Sequence, residues 1–327
     1  MEQEIDRELL SSLLQHAGIS DKVAGVELIT GAGHTNRVSV IKVQSGTSYV
    51  LREYLWPHDA PDLDRVRKEK FLHTLLINRG LPVPRILADT TLGGKSAILM
   101  EQLPGECLGD SYSHLTSDAW VQAWRSCGAT LRSIHSIEYP PGTHGIFIGD
   151  TLQPFEAASW GHHCMHNLLY HAQQVAAFSK GIEVDLDGLQ KVIEAAIPLL
   201  NRGVPTLLHN DAHAWNVLID RTNGEWGCTG WLDWEYAWVG DPTWDLVRMD
   251  LWRSHAIGAT PGAFYEGYGL RPTEPNRSIY ELSIYLWKAH EYLKGTESSH
   301  LMGTAAMTYL ATVGNSIKKI REQVEGA

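Results

Sequence analysis

Apolar residues recur at helical spacing over 3–16, with Ile5, Leu9, Leu10 and Leu13 on one side. This predicts a short amphipathic helix that stops at Gly18. Residues 25–54 read as three antiparallel strands, VELIT, RVSVIKV and SYVLREY, the last following a turn at Ser45-Gly46. A charged helix is expected over 62–79, closed by Gly80 and Pro82. PRILADT and SAILMEQ then form two more strands across Gly93-Gly94, and Leu103-Pro104-Gly105 reads as a linker. Beyond about residue 117 the pattern is mostly helical. Ala119–Ile137 carries Trp120, Trp124, Leu131 and Ile134 at burial spacing, and 140–152 is a Pro/Gly-rich loop. Further helices are expected over 155–180, 185–200, 243–255, 275–295 and 298–324. Strands first and helices after predict an α+β chain without internal repeats.

One stretch breaks the helical run. In LLHNDAHAWNVLIDRTNGEWGCTGWLDWE, Val217, Leu218 and Ile219 read as a strand, and Asn223-Gly224 is a hairpin turn signal. The return strand delivers Asp233 after Trp231 and Leu232. A hairpin of this length brings its two bases together, so Asn216 and Asp233 can meet although they are 17 positions apart. Their amide and carboxylate oxygens are hard ligands that suit Mg²⁺, which commonly shares its shell with substrate phosphates. Asp211, in the polar loop just before, is a candidate base for an attacking hydroxyl.

HNDAHAWN resembles the catalytic loop of the aminoglycoside phosphotransferase family, usually H-G-D-x-x-x-x-N. LDWEYAWVGDPTWDL resembles that family's metal-binding segment, an Asp followed by G-D-P-x-x-D-L. The family shares its fold with protein kinases. The resemblance therefore implies a bilobal protein-kinase-like α+β fold, with a small antiparallel-sheet N-lobe over 1–103 and a mainly helical C-lobe over 104–327. It implies that Asp211 is the catalytic base and that Asn216 and Asp233 hold Mg²⁺. His209 and Asp245 would brace the loop, with Gly240, Asp241 and Pro242 turning the chain before Asp245. Asn210 stands where the family prefers Gly, and Asn tolerates left-handed backbone better than most residues.

The segment around Gly31, Ala32 and Gly33 lies between two strands. Its glycines would let backbone amides approach a phosphate, although most such turns are plain hairpins. It is not a Walker A loop, because no G-K-[ST] follows. In the kinase layout a third-strand cation pairs with a Glu on the next helix. The matching residues are Arg52 and Glu69, with Arg in place of the usual Lys, and Lys42 is a weaker substitute. AILMEQLPG resembles the linker that binds adenine through backbone. Glu101 and Leu103 would offer main-chain groups there, and Met100 would pack behind. The donor is expected to be ATP or GTP.

Length and composition narrow the class. The 327 residues, 43% hydrophobic and 20% charged, suit a globular chain with two lobes. No apolar run reaches the roughly 18 residues of a membrane span. The N-terminus lacks a signal peptide's apolar core, so a cytoplasmic protein is expected. A net charge of −11 argues against nucleic acid as a partner and suits a cationic small molecule. Cys107, Cys127, Cys164 and Cys228 lack metal-ligand spacing and read as thiols in a reducing compartment.

The expected acceptor is a hydroxyl of an aminoglycoside-like or other antibiotic. A choline, homoserine or fructosamine type of small-metabolite kinase is the alternative, and a non-catalytic nucleotide-binding relative a further one. Glu235, Asp250, Glu281 and Glu291 could receive ammonium groups, although solvated helix faces are the plainer reading of each. Trp160, Trp252 and Trp287 could wall a ring, with core packing the plainer reading. His162 and His166 share a helical face, but no third metal ligand accompanies them.

Overall fold

A computed structural model describes residues 6–29, 36–55, 64–92, 95–178, 185–251, 259–295 and 313–325. Two compact units are distinguished. The first combines Met1–Ala123, Phe147–Leu152 and Trp215–Glu235. The second combines Trp124–Ile146, Gln153–Ala214 and Tyr236–Ala327.

In the first unit, helix α1 spans Arg7–His16, and Asp6 caps it by accepting from the Glu8 and Leu9 amides. Its apolar stripe, Leu9, Leu10, Leu13 and Leu14, is buried with Ile41, Leu51, Ala97 and Leu99. Five antiparallel strands follow: β1 (Val23–Leu28), β2 (Asn36–Val43), β3 (Ser48–Tyr54), β4 (Ile86–Leu92) and β5 (Lys95–Glu101). Their order is β1-β2-β3-β5-β4, and Arg52 lies opposite Val38 on one side and Ile98 on the other. Helix α2 (Arg65–Ile77) buries Lys68, Glu69 and His73 beside Leu72 and Leu76. A helix that buries charges on its inner face needs partners there, and they prove to be the centre of this unit.

The hairpin forms as expected. Strands β10 (Val217–Thr222) and β11 (Glu225–Trp231) pair across Asn223 and Gly224, both at positive φ, 54° and 92°. The two-residue strand β6 (Glu106–Cys107) adds to β10 as an edge. At the hairpin base, the Leu232 amide donates to the Asn216 carbonyl at 2.9 Å, which places Asn216 one residue across from Asp233.

The second unit is mainly helical. Helices α5 (Trp160–Phe178), α6 (Leu186–Leu200), α7 (Thr243–Leu251) and α9 (Asn276–Lys294) bury one core that includes Leu168, Ile193, Leu208, Val247 and Leu286. The last described helix, α10, spans Val313–Glu325. Pairing also arises where a loop was expected. Strand β7 (Gly145–Ile148) joins β12 (Trp238–Gly240), which also pairs with β9 (Thr206–Leu208). So short a strand shows little alternation of its own, and its register with β12 orders it. The short helix α8 (Gly262–Tyr268) was not anticipated either. It meets α4 (Ser117–His135) through two glycines. A Cβ on Gly128 would overlap the Phe264 carbonyl, and one on Gly267 would overlap the Arg125 carbonyl. These backbones therefore touch directly.

Candidate active site

The loop between β9 and the 3₁₀ turn Ala214–Asn216 is held from α7. The Asp245 carboxylate accepts from the His209 amide at 2.6 Å and the Asn210 amide at 2.8 Å. His135 Nε2 lies 3.2 Å from the same carboxylate, and its Nδ1 lies 2.8 Å from the Tyr268 hydroxyl. Asp245 thus braces the loop, as the resemblance implied. Asn210 adopts φ 60°, the left-handed conformation that Gly would otherwise supply. Its side chain accepts from Trp244 Nε1 at 2.7 Å and donates to the Tyr236 carbonyl at 3.0 Å. Asn here supplies the backbone geometry and two extra bonds together. Asp241 is anchored in turn by the Tyr280 hydroxyl at 2.6 Å.

Asp211 emerges from this braced loop with 18% of its side chain exposed. Arg248 of α7 donates to Oδ1 at 2.6 Å, and His213 Nε2 stands 3.4 Å from Oδ2. Burial opposes charge on this carboxyl. His213, Arg248 and His209 outweigh that effect and hold it well below the usual carboxylate range. Asp211 is consequently an anion at any ordinary pH. Such a group orients a hydroxyl and accepts its proton only as the hydroxyl becomes acidic.

The second cluster lies within the first unit. Arg52 spans three carboxylates: Glu69 at 3.0 Å, Asp233 at 2.7 Å and Glu235 at 3.4 Å. Arg65 reaches Glu235 at 3.7 Å, and Asn36 Nδ2 donates to it at 3.3 Å. Burial disfavours charge on Arg52, but Asp233, Glu69 and Glu235 outweigh it and hold its proton more tightly than usual. Burial pushes Glu69 up to about 7 despite Arg52. A planar fork can bridge several carboxylates, which a single ammonium would do less well.

Asp233 sits at φ 67°, uncommon for a residue other than Gly and a mark of a constrained site. Arg52 engages Oδ1 only, and the side chain is 31% exposed. Among the described residues no hydrogen bond is made to its other carboxylate oxygen. With the Asn216 amide one residue across the hairpin, the donor chemistry fits a hard divalent cation. Glu69, Asp233 and Glu235 also place carboxylate oxygens within 4.8 Å of one another, the one such potential metal-ligand group among the described residues. The Arg52 guanidinium already occupies that group's midst. His162 is bonded to Ser159 Oγ at 2.8 Å and belongs to no such group.

Other anticipated residues fall variously. Gly31, Ala32 and Gly33 lie outside the described residues, as does Trp252. Met100 is buried on β5, and the Glu101 amide already donates to the Arg85 carbonyl at 3.0 Å. Only the carbonyl of Glu101 could therefore be offered to a base. Leu103 packs close against Gly230. Glu235 and Asp250 are buried rather than solvated, the latter 3.4 Å from Arg277. Trp160 is core, donating to Tyr280 at 2.7 Å. Arg248, Arg65 and the buried side of Glu235 were not foreseen. Nothing local marks them, although Arg248 lies one turn beyond Asp245 on a recognisable helix.

An antiparallel sheet carrying an Arg–Glu pair, a hairpin ending in Asp and a braced loop Asp together define a protein-kinase-like phosphotransferase class. Residues 28–306 match the phosphotransferase enzyme family, and the chain belongs to that family. The same fold appears in the GDP and kanamycin complex of APH(2")-IIia, at 15% identity and TM-score 0.64. That match covers 92% of this chain and 97% of the other. Macrolide 2'-phosphotransferase MphH from Brachybacterium faecium matches at 20% identity and TM-score 0.57, covering 92% and 97%. The amicoumacin kinase hAmiN, in complex with AMP-PNP, Ca²⁺ and Ami, matches at 13% identity and TM-score 0.55, covering 98% and 94%. No curated protein sequence matches the chain.

Proposed function

We propose that the protein transfers the γ-phosphoryl group of ATP or GTP to a hydroxyl of a small molecule, an aminoglycoside-like or other antibiotic. The observation that carries this reading is the Asp211 carboxylate, held as an anion on a loop fixed by Asp245. In this reading Asp211 orients the acceptor hydroxyl at one of its carboxylate oxygens and receives its proton as the bond to phosphorus forms. Arg52, oriented by Glu69, faces the nucleotide phosphates. Asn216 and Asp233 would hold Mg²⁺, which when bound neutralises charge on the phosphate oxygens. Gly31, Ala32 and Gly33 would cover the phosphates. Glu101 and Leu103 would meet the base through backbone, with Met100 behind. The nucleotide is assigned to residues 1–103 and the acceptor to 104–327, in a cytoplasmic enzyme. No helix among the described residues is long and apolar enough to cross a membrane.

The antibiotic class draws support from three similar structures, whose names and ligands are an aminoglycoside, a macrolide and amicoumacin. The net charge of −11 favours cationic acceptors among these. A screen of aminoglycosides, macrolides and small amino alcohols with Mg-ATP and Mg-GTP, read by mass for one added phosphate, tests the proposal. Nucleotide binding without transfer to any hydroxyl would count against it, as would full transfer by Asp211→Ala.

A further inference from the structure

Arg248 is an unusual buried arginine. Its side chain is only 2% exposed, yet among the described residues it makes one hydrogen bond, to Asp211 Oδ1 at 2.6 Å. Its Nε is buried without an acceptor. Arg52, by contrast, spreads its donors over three carboxylates. Arg248 instead lies against an aromatic face, its Cζ 4.9 Å from the Trp287 ring centroid on α9. Lys288 Nζ is 4.4 Å from the same ring. The ring therefore supports the guanidinium, and the fork's one polar contact is aimed at the loop Asp. The chain also fixes the direction of approach. Arg248 lies three positions after Asp245 on α7, so one helix both braces the loop backbone through Asp245 and grips its carboxylate through Arg248.

We infer that Arg248 is a positioning residue for phosphoryl transfer, clamping the Asp211 carboxylate through Oδ1 so that Oδ2 is presented to the acceptor hydroxyl. This rests on the reading of Asp211 as the base. The clamp has two physical effects. It removes rotation of the carboxylate about its last torsion, and a misplacement of about 1 Å at such a group costs on the order of a hundredfold in rate. It also places a permanent positive charge beside the anion, together with His213 and His209 on the loop. On the α9 side, Lys288 is the charged group that shares the Trp287 ring with Arg248.

The test uses the full-length protein with Arg248→Met, Arg248→Lys and Asp211→Asn. Two quantities are followed: release of inorganic phosphate from Mg-ATP and Mg-GTP, and the titration of the Asp211 carboxyl by carbon NMR of labelled aspartate, assigned with Asp211→Asn. Arg248→Met is expected to slow release by on the order of a hundredfold with nucleotide affinity unchanged. It should also move the Asp211 titration upward, and Arg248→Lys should recover part of both. If Arg248→Met does not fold, Arg248→Lys alone decides. A charge without the fork should keep the Asp211 titration low yet slow the release. Wild-type release together with an unmoved Asp211 signal in either folded variant would overturn the clamp. If Asp211→Asn releases phosphate at the wild-type rate, the reading of Asp211 as base fails instead, and the NMR arm still reports on the contact.

Discussion

Lys68 offers the sharpest test of how this unit is built. Its side chain is 1% exposed on the inner side of α2, and its Nζ has no hydrogen-bond partner among the described residues. Burial lowers its affinity for a proton from the ordinary 10.5 to about 7, although Glu69 and Glu235 pull the other way. At about 1.4 kcal/mol per pH unit, that depression corresponds to about 5 kcal/mol of penalty at neutral pH, an upper bound. Replacing such a group with an apolar side chain of similar size is expected to return roughly 1–4 kcal/mol. Lys68→Met should therefore be more stable than the wild type at pH 7. The sign of the pH dependence follows from linkage. Between pH 7 and 10.5 the unfolded lysine binds a proton that the folded one lacks, so wild-type stability rises with pH over that window. The advantage of Lys68→Met should thus shrink to under about 1 kcal/mol by pH 10. Calorimetric melting of both proteins at the two pH values measures this. An advantage equal at both, or a loss at pH 7, would refute the reasoning, because a properly satisfied ammonium behaves in that way.

Three further outcomes follow from the site. Asp245→Ala deprives the His209 and Asn210 amides of their acceptor, so transfer should fall on the order of a hundredfold while nucleotide affinity, measured by calorimetry, stays unchanged. Asp233→Ala should abolish Mg²⁺-dependent strengthening of nucleotide binding; retention of that effect would remove Asp233 from the ligand set. Arg52→Lys exchanges a fork across three carboxylates for a point charge, and a lower melting temperature is expected, since one buried carboxylate would lose its partner. An unchanged melting temperature would show that the fork geometry contributes little.

Family, enzyme class and fold were legible because their signals are short and local. Asp211, Asn216 and Asp233 are spaced by a loop and one hairpin, and Asn223-Gly224 announces that hairpin's turn. Elements ordered by distant partners were less visible. Strand β7 exists through its register with β12, nearly a hundred positions away, inside a segment whose glycines and prolines suggest a loop. Helix α2 hides its inner face, because Lys68, Glu69 and His73 break the apolar stripe that periodicity seeks. Arg248 and Glu235 escaped for the same reason. A charged residue in sequence looks solvent-facing until its counter-charge is placed beside it.

The direct meeting of α4 and α8 reaches further than its location suggests. Gly267 is followed by Tyr268, whose hydroxyl begins a relay through His135 to Asp245 and so to the loop bearing Asp211. A methyl group at position 267 would wedge the helices apart and carry Tyr268 away from His135. Enzyme so altered could remain folded and still bind nucleotide, yet lose turnover through a position that touches no substrate. A sequence survey for inactivating changes should therefore weigh this pair of glycines beside the charged residues of the loop.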